Sequence, residues 1–574
     1  MKKTILYISL ILFSVNGFSQ TKIRTLPRNI NAPNYNNYYP AISGDGNSLV
    51  FMSNFTNSGE SSMSYTYKID VTTWSDPVEL PRAINLNHLL FEGGYSLNFN
   101  GKTLFFTFKK SGGIGGYDIW YSKFSNGTWQ GAKNMGNKIN TSAHEGMPSI
   151  SSSGESLYYC RCETMNEIEA TGCKIVVATK NGSLWEDAKP LPNNVNSYNP
   201  QSPKIMADGE TLIFSSKQGG SADLYLTRKT VDGSWTDPVS MNFANTTNNE
   251  QFVSVAAKGR YLFHDVKSGR GRAIEMLLIP DEFKAKDVMH VKGTVVNPIT
   301  NERIPSTLKV YDIATRERIV FQELNENSEF NFAIKEGKAY DFSIEPKDNS
   351  YGYFSKIYDL GQMKASSRDE LEIKLSPFKR GQTVELGALA YSDMSTEIDD
   401  NATYELRRLV RLLKNNSNEG FELKVHRYNY LEDNIASSED LTEVIIDTLW
   451  TEIEKTIQVV DTIMVPYAMD STASDSVSSV SNNDELSSDS ASMLATNFDM
   501  FEQRIEVRDS VIMVPYYDLK YTYHNDRTLK QVKALVQYLV GKGLAEEQLQ
   551  YTTSKTTDRP PRGKPQIIVS IKML

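Results

Sequence analysis

The sequence predicts a multidomain, mainly β protein: a β-propeller of five blades, or six if one repeat is disguised, then a β-sandwich, then an α/β domain carrying a long acidic insertion. Three observations predict it. A repeat of about fifty residues runs through the first half, short alternating strands replace it from Val288, and apolar faces at helical spacing arise only after Ala402. A chain of 574 residues has room for three or four domains, and 39% hydrophobic residues supply real cores.

The repeat is a short strand, a residue-Gly turn and an apolar-aromatic strand. It reads Tyr39-Pro-Ala-Ile-Ser-Gly-Asp-Gly-Asn-Ser-Leu-Val-Phe51 and returns from Tyr95, Met147 and Ser202, with a worn fifth copy from Val253. The turn glycines Gly46, Gly101, Gly154, Gly209 and Gly259 stay in phase with a second marker, Trp74, Trp129, Trp185 and Trp235. Each repeat holds about four short strands, and a sheet that small buries its faces only by stacking on its neighbours around an axis. After Trp74 the chain reads Asp76-Pro-Val-Glu-Leu-Pro-Arg-Ala-Ile-Asn85, and Thr25-Leu-Pro-Arg-Asn-Ile-Asn31 repeats its end with no blade before it. That N-terminal piece is therefore expected to supply the outer strand of the last blade and close the ring.

Gly112-Gly-Ile-Gly-Gly-Tyr-Asp-Ile-Trp120 followed by Trp129, and Lys138-Ile-Asn-Thr-Ser-Ala-His-Glu-Gly-Met-Pro148, resemble the TolB-like, WD40-like propeller repeats of bacterial envelope proteins. The resemblance covers about residues 25 to 280, within a propeller domain set at 20–284. It implies a docking surface and no catalyst.

From 285 to 376 alternating strands near Val291, Ser306, Glu329 and Ala339 are punctuated by Pro298, Asn301, Asn327 and Gly337. They predict a small antiparallel sandwich that resembles carboxypeptidase-regulatory-like domains, whose role is spacing or binding. Residues 377–574 return to α/β. A helix over Ala402–Lys414 presents Leu406, Leu409, Val410, Leu412 and Leu413, and strand Phe421–Tyr428 follows. A second helix starts at Asn525 or Asp526, carries Leu529, Val532, Leu535, Val536 and Leu539, and stops at Gly541 and Gly543 before a terminal strand from Gln566 to Lys572.

That order, with Val536-Gln-Tyr-Leu-Val-Gly-Lys-Gly-Leu544, resembles the OmpA-like peptidoglycan-associated domain. In that family an Asp after the second strand and an Arg in the second helix grip the diaminopimelate of the peptide stem. Here Tyr428 occupies the Asp position and Gln531 the Arg position, so both charged groups are missing. Arg527, one turn earlier, sits at the wrong height to replace the Arg. The fold is expected, and binding to peptidoglycan is not.

The net charge of −9 has one source. Between Tyr428 and Gln503 stand 16 Asp and Glu against the single Lys455, and the rest of the chain is net basic. This stretch belongs to an insertion over about 429–520. Its centre, Met469–Asn497, is rich in Ser and Asp and is expected to lack structure. Its flanks Asp461-Thr-Ile-Met-Val-Pro-Tyr467 and Asp509-Ser-Val-Ile-Met-Val-Pro-Tyr516 nearly repeat. They predict a solvated decoration with a local hairpin, or else a protruding ribbon or a strand-addition site for a partner.

Lys2 and Lys3, the apolar stretch Ile5–Val15 and the small residues before Gln20 read as a signal peptide over 1–19, and no later segment has the length of a membrane span. The mature chain is expected to be exported to the periplasm beside the outer membrane, with the cell surface as the alternative. Three cysteines fit an oxidising compartment. Cys160 and Cys162 share one face of a strand and Cys173 opens the next, which predicts a disulfide across that hairpin or three inert thiols rather than zinc.

Little else suggests chemistry. No pair of the six His has metal-ligand spacing, and no Gly-x-Ser-x-Gly elbow occurs. His144-Glu145 lacks a second His, Gly112–Gly116 lacks the Lys-Ser/Thr of a phosphate loop, and Lys267–Arg272 is too small a basic patch for nucleic acid. The propeller Trp residues read as core rather than as a sugar platform. No catalytic residue, cofactor or metal is expected. The expected function is a non-catalytic scaffold whose partners are envelope proteins, and the domain order resembles accessory proteins of type IX secretion and gliding machineries. The alternatives are a peptidoglycan anchor and a propeller hydrolase or glycan binder, the last of which requires carboxylates or His converging on the propeller axis.

Overall fold

The computed structural model describes residues 23–55, 60–269, 271–361, 368–392, 394–466, 501–561 and 564–574. The expected signal peptide and the Ser/Asp-rich centre of the insertion lie outside these residues. The chain divides into two units, one of 1–428 with 528–574 and one of 429–527.

In the first unit, residues 23–278 form five antiparallel sheets of four or five strands. Each starts with a strand on the inside, Asn37–Ile42, Leu90–Leu97, His144–Ile150, Gln201–Ile205 or Ser254–Val255, and adds strands outward in chain order, except for the outermost strand of the fifth. All five turn glycines between first and second strands adopt φ between +58° and +76°, where any other residue is strained. Consecutive sheets share apolar cores. Val50 and Met52 meet Phe106, Phe105 and Ile119 meet Tyr159, Tyr158 meets Phe214, and Ile213 meets Leu262. The fifth sheet returns to the first through Phe263 and Ile274 against Ile42 and Phe51. The result is a closed, propeller-like ring. Ile23–Thr25 pairs antiparallel with Leu277–Glu275 as the outer strand of the fifth sheet.

One residue type locks every sheet. Asn85, Asn140, Asn196 and Asn245 each accept a hydrogen bond from a backbone N–H of a third strand, and their amide groups donate to the carbonyl of the same residue. Those residues are Met63, Ile119, Ile175 and Leu224. Asn31 does the same to Ile274 of the fifth sheet. Each asparagine closes a tight turn after a short outer strand; the carbonyls of Met63, Ile119, Ile175 and Leu224 also accept a main-chain N–H, so there the amide supplies the partner that the N–H lacks and a second donor to the carbonyl.

Residues 288–374 form two packed sheets, one ordering 329–335, 288–296 and 368–374, the other 318–324, 306–312, 339–346 and 354–359. The core is Val291, Leu308, Val310, Val320, Phe332, Phe342 and Ile344. The expected purely antiparallel sandwich needs correction, because Val288–Val296 pairs parallel with Arg368–Lys374. The last strand crosses from one sheet to the other and so enters beside the first strand in the same direction.

After it, a mixed sheet orders 383–385, 567–573, 421–427 and 549–555. Helices α1 (Thr403–Asn415) and α2 (Arg527–Gly541) supply Leu406, Leu409, Leu412, Leu413, Val532, Leu535 and Leu539 to its core.

Two joints weld these parts of the first unit. Between α1 and the sandwich, Arg408 donates both arms of its guanidinium to Asp341 at 2.7 Å and also binds Glu405, while Ser355 donates to Glu405 at 2.8 Å. All three charged side chains are buried. Tyr311 and Tyr404 stack with ring centres 4.1 Å apart. Between ring and sandwich, Arg318 pairs with Glu155, Lys335 and Lys286 with Glu210, and Lys102 with Glu329, while Phe99 packs edge-on against His290. Phe99, Lys102, Glu155 and Glu210 all belong to turns between first and second strands, so the sandwich covers that end of the ring.

The second unit is a two-stranded antiparallel ribbon of Leu441–Pro466 and Phe501–Asn525. The repeated flanks do not pair with each other: Asp461–Pro466 lies against Phe501–Glu506, and Asp509–Tyr516 against Thr451–Gln458.

Candidate functional site

The first strands of the ring bend at one common place. Tyr39, Gly93, Met147, Ser202 and Phe252 all take positive φ there, and strand register slips across that bend in the first four sheets. These bulges bring Pro40, Gly93, Met147, Ser202 and Phe252 to the axis. A Cβ on Gly93 would stand 2.6 Å from the Phe252 ring, so glycine is required. The axial cavity has room for about 30 Å³, the space of a water molecule rather than of a sugar or peptide. Lys204 lines it, and burial alone pushes its ammonium down to about 8.

At the end of the ring away from the sandwich, polar groups converge. Arg272 donates from Nε to Asp265 at 2.7 Å and lies over the rings of Tyr38 and Tyr39 at 4.6 and 4.9 Å. Asp265 also accepts the Tyr39 N–H. The Tyr38 hydroxyl donates to Glu92 at 3.3 Å, and that of Tyr95 to the Tyr39 carbonyl at 2.6 Å. Burial holds the Glu92 carboxyl above the usual range, against the opposing pull of the Tyr38 hydroxyl and Arg272. The mouth thus presents one carboxyl inclined to keep its proton, one carboxylate neutralised by Arg272, and a wall of tyrosines. Sequence reading assigned these residues no site: Tyr39 and Tyr95 stood in it only as the first residues of two repeats and Arg272 only within Lys267–Arg272, while Tyr38, Glu92 and Asp265 carry no repeated signal.

The two positions taken from the OmpA-like resemblance do not form a surface site. Gln531 is 2% exposed, donates from Nε2 to the Ser395 carbonyl at 3.0 Å, and its main-chain carbonyl accepts the Tyr391 hydroxyl. Tyr428 is half-buried after strand 421–427, donates its N–H to Gln566 and packs edge-on against His426. Arg527 spends its guanidinium on the carbonyls of Glu439 and Leu441.

Cys162 and Cys173 form a disulfide across the hairpin of Thr164–Met165 and Ala170–Thr171, and Cys160 is a buried free thiol. Among the described residues no His, Cys, Asp and Glu group has the arrangement of a metal site. Glu145 is braced by Arg161 and Thr141. The loop from Gly112 wraps the Asp118 carboxylate with the N–H groups of Ile114 and Gly115, so its donors already have an anion. Trp74 and Trp129 are buried, and Trp185 and Trp235 half-buried.

No family model and no curated protein matches the chain. Among solved structures, it is similar to TolB proteins. One from Agrobacterium tumefaciens is 14% identical at a TM-score of 0.27, covering 52% of this chain and 90% of that one. TolB from Acinetobacter baumannii is 13% identical at 0.26, covering 53% and 62%. An oligogalacturonate lyase from Vibrio parahaemolyticus is 10% identical at 0.26, covering 47% and 96%. No helix among the described residues is long and apolar enough to cross a membrane.

Proposed function

We propose that this protein is a non-catalytic scaffold of the cell envelope, built from a five-bladed propeller, a regulatory-like sandwich and a degenerate OmpA-like domain. It acts at the periplasmic side of the outer membrane, where it holds protein partners, among them components of a secretion or gliding machinery. The observation that carries this reading is the construction of the two joints. Arg408, Asp341 and Glu405 are buried together, and Glu155 and Glu210 are paired across the second joint. Domains fixed by such contacts keep a set spacing, which a scaffold needs and a flexible tether does not. The burial of Gln531 and the loss of the acid at Tyr428 leave no charged pair to grip diaminopimelate.

Co-sedimentation of the full chain with isolated peptidoglycan tests the reading. The protein is expected to remain in the supernatant; if it pellets, it is a wall anchor and the scaffold reading fails. A second reading, glycan hydrolysis at the open mouth, is favoured by Glu92 and Asp265 alone. Release of reducing ends from sacculi by the wild type, absent in Glu92→Gln, would establish it.

A further inference from the structure

The scaffold reading leaves its partners' chemistry open, and the ribbon narrows it. In an antiparallel pair, residues directly opposite each other share a face. The register therefore divides the ribbon into two unlike faces. One carries Ile446 with Tyr521, Trp450 with Tyr517, and Val460 with Val507. Trp450 and Tyr517 lie 5.4 Å apart, and Tyr521 stacks with Tyr523 further along the same face. Its charges are Glu452, Glu454 and Asp509, all near the middle. The ribbon's four Lys and Arg residues, Lys455, Arg504, Arg508 and Lys520, all fall on the other face, among six carboxylates.

The first face is uncovered: Trp450 is 69% exposed and Ile505 67%. A two-stranded ribbon is marginal by itself in water, and one of roughly 80 Å at 3.4 Å per residue presents an apolar strip larger than a monomer normally leaves bare.

Charge decides what covers it. A second copy stacked face to face would set the central carboxylates against their own copies, since they lie at the midpoint of the ribbon, and like charges there repel. An anionic membrane surface would meet three carboxylates and no cation. We propose that this face docks a protein whose matching surface is apolar at both ends and basic at its centre. The aromatic root of the ribbon and its aliphatic far half take the apolar ends, and Glu452, Glu454 and Asp509 take lysines or arginines between them.

The test places p-benzoylphenylalanine in full-length protein at Tyr517 or Val507 on this face, and at Ile512 on the other. The producing cells are irradiated and the crosslinked peptides identified by mass spectrometry. The expected result is one heterologous adduct from Tyr517 and Val507, absent from Ile512, whose crosslinked peptide flanks a Lys/Arg cluster. Glu452→Lys, Glu454→Lys and Asp509→Lys together should lower its yield about tenfold or more with an unchanged melting curve. An adduct to a second copy or to lipid, equal crosslinking from both faces, no adduct, or an unchanged yield after charge reversal overturns the proposal. Pelleting with peptidoglycan would instead remove the scaffold reading while leaving a face-specific adduct intact, so the two failures are distinct.

Discussion

Lys204 stands at the axis among prolines, serines and methionine, and burial alone sets its titration near 8. The unfolded value is about 10.4. Because the folded pKa is the lower one, the folded state holds the proton less tightly. The residue therefore opposes folding below pH 8, and that penalty is relieved as pH rises from 8 to 10.4. Lys204→Met is expected to stabilise the protein by about 1–3 kcal/mol at pH 7 and to remove this rise, read as melting temperature between pH 7.5 and 10 against wild type. The asparagines have the opposite sign. Asn140 is 0% exposed and satisfies both the N–H and the C=O of Ile119. Asn140→Ala leaves the Ile119 N–H buried and unpaired, while the carbonyl keeps the Met135 N–H, an expected loss of about 1–3 kcal/mol in denaturant unfolding. The Asn is visible in the sequence as the last residue of Leu80-Pro-Arg-Ala-Ile-Asn85 and of Thr25-Leu-Pro-Arg-Asn-Ile-Asn31. What it does is not visible, because its partner lies on a strand about twenty residues earlier, or across the whole ring for Asn31.

At the scale of elements, α1 is an amphipathic helix whose leucines were legible from their spacing, while the charged side of its interface was not. Arg408 follows Glu405 by three residues, which reads as an ordinary surface pair; only the fold brings Asp341 to the other side. Arg408→Ala strands two carboxylates in the joint and is expected to cost about 3–5 kcal/mol, measured as a fall in the urea midpoint. Arg408→Lys should lose much of the same stability, since an ammonium cannot make the paired bonds to Asp341. The ribbon shows a different limit. Its apolar runs were legible, but the residues sharing a face follow from a register set across the whole hairpin, and a slip of one residue would exchange the faces. The parallel strand Arg368–Lys374 escaped for a related reason: its direction depends on a crossover, not on its composition.

For the whole molecule, periodic glycines and tryptophans made the ring legible, because five copies of one error-tolerant pattern outweigh any single substitution. Nothing periodic marks the mouth, whose Glu92, Asp265 and Arg272 come from distant repeats, or the joints. The ring–sandwich joint carries its own pH dependence. Burial pushes the Glu210 carboxyl up, but Lys335 and Lys286 outweigh it and leave the group below its ordinary value. Its stabilisation is therefore complete above about pH 4.3 and is lost as pH falls through the folded value below that. The melting temperature is expected to fall more steeply from pH 6 to pH 3.5 in wild type than in Glu210→Gln, which should already melt lower at pH 6.

The closure of the ring also sets a clock. Ile23–Thr25 cannot pair until Glu275–Leu277 exists, and at roughly 5–20 residues per second the ribosome takes about 12–50 s to make the chain between them. Throughout that interval Ile42 and Phe51 of the first sheet lack the Phe263 and Ile274 that will cover them. The earliest strand of the ring to be synthesised is the last of the ring to be placed, so a newborn chain is sticky for about two-fifths of its synthesis and depends on being shielded until its fifth sheet arrives.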